Sequence, residues 1–332
     1  MLADFGKESI LITKSKEFLD EFAVRKSRKQ KTTFIQRLCS EAANIGYVNN
    51  IDQTKSGARN VIVGNFNDSS VVFVTHYDTP SRSCFPHVVC PKMPWISAVL
   101  KILSVLAVFL PTFGILVGLK ALLSAVGLAE NLSLLFAVVA SVISYVVLLL
   151  LFVGGVAKKN NANVSSGVLA LLEIMRQMPK ELRSEVSFVF FDEHENGGMG
   201  ASDFEKENRN VLVKKLVVGI DSVGLGKDFV VTVSPNAEPY LKNVEDAFGP
   251  YNQIRTTVLH GGKHFYSDHS KFKNSIGVSS FKKTDGGLLY RSESYSESDT
   301  ECNEENINYL AISAVNIAKT VKNRTVENDA EE

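Results

Sequence analysis

Hydrophobic and polar positions change period several times along this chain, and each change marks an element. From about Lys14 to Ile45 apolar residues recur near every 3.6 positions, in "EFLDEF" and again in "FIQRLCSEAANIG". That spacing predicts helix in two pieces, with Gly46 as the stop. Two β-rich runs follow, "NVIVGNF" and "VVFVTHYD", separated by the turn-like "NDSS". After a long apolar region comes "NNANVSSGVLALLEIMRQMP", where Ser165 or Ser166 can cap a helix that ends at Pro179. "VSFVFFDEHENGGMGAS" is an apolar strand running into a polar, glycine-rich turn, and "KLVVGIDSVG" repeats that design. "DFVVTVS", "IRTTVLH" and "IGVSSFKK" are further strands, and "ENINYLAISAVNIAKTVKN" is an amphipathic helix. Strands alternating with helices predict an α/β fold, with a mostly parallel central sheet and helices on both faces.

Two segments break the alternation. Ile102 to Leu119 and Leu132 to Ala157 contain no charged residue. At about 1.5 Å per residue, each is long enough to cross most or all of a hydrocarbon core of about 30 Å. Buried core helices are the other reading, but they seldom run this long without a charge. The expectation is a transmembrane hairpin inserted over residues 95–157, with spans at about 97–119 and 132–157 and a connector from Lys120 to Asn131. The domain plan is then 1–94 and 158–323 as two parts of one soluble unit, with 324–332 as a solvated acidic tail. Pro111 and Gly114 fall inside the first span, where neighbouring helices can accommodate a kink.

Charge adds orientation. Arg82, Lys92, Lys158 and Lys159 flank the spans on the side of the soluble parts, whereas the connector region offers Lys120 and Glu130. The positive-inside bias therefore puts an integral membrane protein's soluble part in the cytoplasm. The first residues lack the basic start and apolar run of a signal peptide. Lys plus Arg and Asp plus Glu both number 36, so nothing points to nucleic acid. Four cysteines are too few for a disulfide scaffold, and Cys84 with Cys90 reads best as a reduced, structural pair.

Candidate chemistry sits where strands end. One strand ends on His76 and Asp78, the next on Asp192 to Glu195, and a third on Asp221. Ligands of open α/β sheets bind beyond the carboxyl ends of the strands. A histidine and several carboxylates converging there suit a divalent metal, with zinc a good match for nitrogen and oxygen donors. The plain alternative is that acidic residues after strands form turns.

The order of these motifs resembles the zinc-dependent aminopeptidases with two co-catalytic metals, the family of bacterial leucyl aminopeptidases and glutamate carboxypeptidase. "THYDT" resembles the family's His-x-Asp strand end, and "NNANVSSGVLALLE" its Asp-Asn-x-x-Gly helix start. "FVFFDEHENGGMGAS" resembles its Glu-Glu turn, and "VVGIDSVG" its third ligand strand. "YSDHSKF", "IGVSSF" and "YSESDTECNEENI" resemble later segments in the same order. The resemblance runs from about Asn60 to the last helix, and a subset of the family with a membrane hairpin at this place matches best.

The resemblance implies zinc as cofactor and a peptide as substrate or ligand, and it supplies roles residue by residue. His76, Glu195 and Asp221 match metal ligands, and Asp78 matches the carboxylate that orients the ligand histidine. The bridging aspartate is replaced by Asn163, the general base by His194, and a late ligand histidine by Tyr295, with Arg291 nearby. A bridging carboxylate lets two dications sit within about 4 Å, and Asn163 offers only a neutral carbonyl. The set therefore accommodates one zinc, on His76 and Asp221 with Glu195, rather than two. His194 can serve as base beside it, since an unperturbed imidazole titrates near 6.5, or it is simply a turn residue. His260, His264 and His269 cluster in one loop region, where a substitute ligand could arise or a solvated loop lie. Three functions follow: a membrane-anchored peptidase that hydrolyses peptides with a metal-bound water, an inactive homologue that binds peptide or protein, or a membrane protein whose hairpin is the active part.

Overall fold

The three apolar runs that end in polar clusters lie side by side at the centre of one sheet. The computed structural model describes residues 17–83, 87–154, 157–261 and 264–331 of the 332-residue chain. The sheet has nine strands. They are β1 (Asn49–Gln53), β2 (Arg59–Gly64), β3 (Val71–His76), β4 (Val186–Phe191), β5 (Leu216–Ile220), β6 (Asp228–Val233), β7 (Arg255–His260), β8 (Ser275–Lys283) and β9 (Leu289–Tyr290). Their order is β1-β2-β4-β3-β5-β8-β6-β7, with β9 on β8. The middle block β4-β3-β5-β8 is parallel, as expected. The flanks add antiparallel pairs: β2 joins β4 antiparallel, and β6 joins β8 antiparallel.

Helices cover both faces. They are α1 (Arg28–Ile45), α2 (Pro94–Ala125), α3 (Glu130–Leu149), α4 (Ser166–Gln177), α5 (Met199–Leu212), α6 (Leu241–Ala247) and α7 (Glu304–Glu331). Alternate residues of β3 face opposite ways. Val71 and Phe73 join a core shared with Phe34 of α1, Leu172 of α4 and Leu310 of α7. Val72 and Val74 join a second core with Phe204 of α5. Burial on both faces is why the central strands read as continuous apolar runs rather than alternating ones.

Local signals behaved unevenly. Residues 17–21 are helical and α1 follows, capped by the reciprocal Ser27–Gln30 box and stopped by Gly46 at φ 98°. Residues 14–16 of the expected first helix lie outside the described residues. Cys84, expected to form a reduced pair with Cys90, lies outside them too. At α4, Ser165 occupies the cap position with a helical backbone (φ −81°, ψ −6°) and makes no capping bond, while its hydroxyl accepts a hydrogen bond from Arg25 Nη2. Gly167 in the first turn of α4 is required by close approach: a Cβ there would lie 2.2 Å from Thr75 Oγ1 and 2.7 Å from Ile220 O. The last helix continues to Glu331, through the acidic segment expected to be a tail.

The two uncharged segments form long helices joined by a short turn. α2 begins with Pro94 at its first position, runs through Pro111 and Gly114, and ends at Ala125. It therefore absorbs part of the expected connector. α3 continues into a π-helical turn, Leu150–Gly154. Ser133, Ala137 and Ser141 are buried at four-residue spacing, a stripe of small residues that lets helices approach closely. Ser141 Oγ donates to Thr112 O at 3.0 Å. Pro111 has no N–H to donate, and beside it Thr112 Oγ1 bonds Val108 O at 2.7 Å. Both helices are long and apolar enough to cross a membrane, and few of their residues are buried in the chain.

Candidate functional site

The parallel block delivers its polar ends to one edge of the sheet. His76 closes β3, Asp221 follows β5, and residues 192–198 form the turn after β4. Glu193 and Ser222 sit there at φ 56° and 51°, left-handed conformations that cost energy in a residue with a Cβ. The late segment before α7 brings Arg291 and Tyr295 to the same place. The resulting cleft has a volume of about 260 Å³ and is lined by His76, His194, Glu195, Asp221, Arg291 and Tyr295 among others.

His76 is buried between two carboxylates. Its Nε2 lies 3.5 Å from Asp221 Oδ1, and its Nδ1 lies 3.4 Å from Asp78 Oδ1. Nδ1 is closer still, 3.2 Å, to the backbone carbonyl of Asp78. The Asp78 carboxylate also accepts the backbone N–H groups of His194 and Glu195, each at 3.1 Å. Asp78 thus positions both the imidazole and the whole turn after β4. Burial alone would lower the His76 pKa, but hydrogen bonds and charge from Asp221 and Asp78 outweigh it and hold the pKa well above the usual histidine value. The same pairing pulls Asp78 and Asp221 below the usual carboxylate range, against the upward push of burial.

His194 stacks on His76, with ring centroids 3.9 Å apart and planes 12° from parallel. Its Nδ1 lies 2.9 Å from Asp268 Oδ1. Burial opposes its charged form, yet Asp268 wins and raises its pKa. Glu195 is raised by burial, and the Tyr295 hydroxyl donates to its Oε2 at 3.1 Å. Arg291 is the residue whose position the sequence least explained. Its Nη2 is 3.9 Å from Asp221 Oδ2, and its Nη1 is held by Ser279 Oγ and Ser222 O. A buried guanidinium therefore supplies Asp221 with positive charge.

Asn163, at the bridging position, is wholly buried. Its Oδ1 accepts the Gly224 N–H at 2.8 Å and its Nδ2 has no partner. The accepted bond fixes which end of the amide is oxygen. The one atom left over is an N–H donor, which cannot bind a cation. Around it, Asp299 accepts from Asn163 N and Val164 N and pairs with the fully buried Lys158 at 2.7 Å.

A zinc ion bound through nitrogen and oxygen at about 2.0–2.1 Å in tetrahedral geometry holds two donors roughly 3.3 Å apart. The 3.5 Å between His76 and Asp221 is close to that spacing. Further donors are lacking: among the described residues no three of His, Cys, Asp or Glu are grouped to hold a metal ion. The residues present do not fit a two-metal centre, and they offer a single ion one matched pair beside an arginine.

The histidine cluster separates in space. His269 is buried, with its ring pressed against Gly277 and its Cβ and backbone against Gly219, and burial pushes its pKa down to about 4. It packs the fold rather than the cleft. His260 pairs with Glu238 at 3.1 Å, and His264 lines the cleft with Nδ1 3.2 Å from Pro91 O. Asp268, the partner of His194, was read in the sequence only as part of a fold motif; an acid directly before a buried histidine carries no mark of its role.

Comparison with known proteins bears on the fold. Residues 162–311 match the model of peptidase family M28. That segment spans α4 to the first turns of α7 and excludes His76. No curated protein matches the chain. Among solved structures, the LapA aminopeptidase of Legionella pneumophila aligns over 94% of this chain and 70% of its own, at 12% identity and a TM-score of 0.55. A glutaminyl cyclase of Porphyromonas gingivalis aligns over 96% and 97%, at 13% identity and 0.53. A Zn-dependent exopeptidase of Parabacteroides distasonis aligns over 95% and 96%, at 15% identity and 0.50. At such identities the solved structures speak for the fold, which this chain shares with zinc-dependent exopeptidases and glutaminyl cyclases, while the similarity to peptidase family M28 covers residues 162–311, a little under half of the chain.

Proposed function

We propose that this chain is a membrane-anchored, peptidase-like protein that keeps the family's cleft for binding a peptide or protein segment and has lost the metal chemistry. The observation that carries this reading is the sharing of Asp221 between His76 and Arg291, with the Asn163 amide where the family has a bridging carboxylate. The family reaction needs a metal-bound water as nucleophile. Here the cation beside Asp221 is a guanidinium, which cannot bind or ionise a water in that way. His76, Glu195 and Asp221 as ligands, and Asp78 and His194 as catalytic groups, are the roles the resemblance would assign. In the binding reading, His76, Asp78 and Asp221 instead hold one another and pin the turn that walls the cleft. The hairpin 94–154 anchors that cleft at a bilayer, and the flanking lysines and arginines favour the cytoplasmic side.

The test is metal content of the detergent-purified chain by inductively coupled plasma mass spectrometry, beside His76→Ala. Expected is far less than one zinc per chain in both. Near-stoichiometric zinc that disappears in His76→Ala, with hydrolysis of amino-terminal peptide bonds, would overturn the reading in favour of a one-zinc peptidase. With the parent low in zinc as expected, Asn163→Asp combined with His194→Glu and Tyr295→His should add zinc binding that the parent lacks.

A further inference from the structure

A second cavity adjoins the cleft. Its volume is about 740 Å³, and it shares His87, Ser104, Glu195 and Tyr295 with the first. Pockets of roughly 300–1,000 Å³ hold organic ligands of moderate size. The walls are of two kinds. One is hydrocarbon from the hairpin: Val105, Val108 and Phe109 of α2, Leu149 of α3, and Phe152 of the π turn. The other is polar and comes from the body, with Arg25, Lys26, Lys31, Thr79 and Ser81.

The two walls fall on opposite sides of a natural boundary. Lys101 lines the cleft and is the last charge before the uncharged run. Val105 to Phe109 lie roughly 6 to 12 Å further along the helix, at about 1.5 Å per residue. With the hairpin in a bilayer, the apolar wall reaches into hydrocarbon while the polar wall and the cleft stay at the water side. A ligand matching both walls is an amphiphile.

The charges select its polar part. Arg25 already donates to Tyr77 O, Phe22 O and Ser165 Oγ. Lys31 pairs with Asp192 and Glu193, each at 2.6 Å. Asp78, Glu193 and Glu195 line the same space. The three cations of this wall, Arg25, Lys26 and Lys31, face as many carboxylates, Asp78, Glu193 and Glu195, so the lining has no net positive charge for a phosphate headgroup and fits a peptide backbone rather than a phospholipid. We infer that this cavity receives the hydrocarbon chain of an acylated peptide, whose peptide part lies in the adjoining cleft. The inference rests on the peptide-binding and membrane readings above, and it names the class of ligand.

The experiment uses the full chain in nanodiscs of zwitterionic phospholipid. The probe is an N-lauroyl tripeptide with a diazirine near the end of its acyl chain, compared with the same tripeptide N-acetylated. Expected are saturable crosslinks to Val108, Phe109 and Leu149, competed by unlabelled lauroyl peptide, and tighter binding of the lauroyl than of the acetyl form. Val105→Trp, at an exposed position that lines the cavity, should weaken lauroyl-peptide binding about tenfold and spare the acetyl peptide. Unsaturable crosslinks spread over outward-facing residues such as Leu110, Val117 and Leu135 would overturn the inference. Equal affinity for both peptides would also overturn it while leaving the peptide-binding cleft intact. Binding of neither peptide would remove the reading on which it rests as well.

Discussion

Strand β3 and helix α2 are both built mainly from apolar residues and end in opposite surroundings. All six residues of β3 are buried. In α2, Ile102, Val105, Phe109 and Leu110 stand exposed on the chain, and Val108 is buried. Hydrophobicity alone therefore does not say what an apolar residue will touch. Length and geometry do. Six extended residues span about 20 Å and can be covered on both faces by helices. A 32-residue helix spans about 48 Å and presents apolar side chains all round, more than one neighbour can cover. The sheet finds its apolar partner within the chain, whereas most of the hairpin's apolar surface is left uncovered by it.

That contrast can be tested by truncating equivalent side chains. Phe188 of β4 is wholly buried and stacks on Phe73 with ring centroids 5.7 Å apart. Phe188→Ala should cost about 3–5 kcal/mol, seen as a large fall in the denaturant midpoint of the soluble body. A loss below about 1 kcal/mol would mean that the sheet core is loosely packed there.

An acid titration gives the next largest effect. Burial depresses the His269 pKa to about 4, from an ordinary value near 6.5. Between those values the unfolded chain binds a proton that the folded chain does not. Stability from this group is therefore full above about pH 6.5 and falls as pH drops toward 4, by about 3 kcal/mol in total. His76 and His194 shift the opposite way, so their contribution is lost as pH rises instead. Comparing unfolding of the parent with His269→Asn across this range isolates the term: the parent should show the steeper acid loss, and parallel curves would refute it.

The smallest effect belongs to the hairpin. Leu110, 58% exposed on the chain, touches little protein. Leu110→Ala should change the unfolding of the soluble body by less than about 0.5 kcal/mol. A large change would show that this face packs against protein in the folded assembly.

Much of this was readable beforehand, for a physical reason. Strands β2 to β8 and helices α1, α4 and α7 announce themselves because burial imposes a local period on the sequence. β1 and β9 were missed, since "NNIDQ" carries polar residues on an edge and β9 has only two residues. Ser165 was read as a helix cap because serine favours that position locally, whereas Arg25, far away in sequence, claims its hydroxyl. His76, Asp78, Glu195 and Asp221 were found together because strand ends of a parallel sheet share an edge.

The sequence by itself determined the alternation of strands and helices, the two long uncharged segments, and which residue types stand at the strand ends. These are properties of residue type and spacing. Only the tertiary structure decided what those residues touch. It set Arg291 against Asp221, tied His194 to Asp268, locked the Asn163 oxygen onto Gly224, and paired Lys158 with Asp299 across the seam where the hairpin rejoins the body. Each of those contacts joins residues far apart in sequence. Their energy depends on distance and burial, and no local pattern records either.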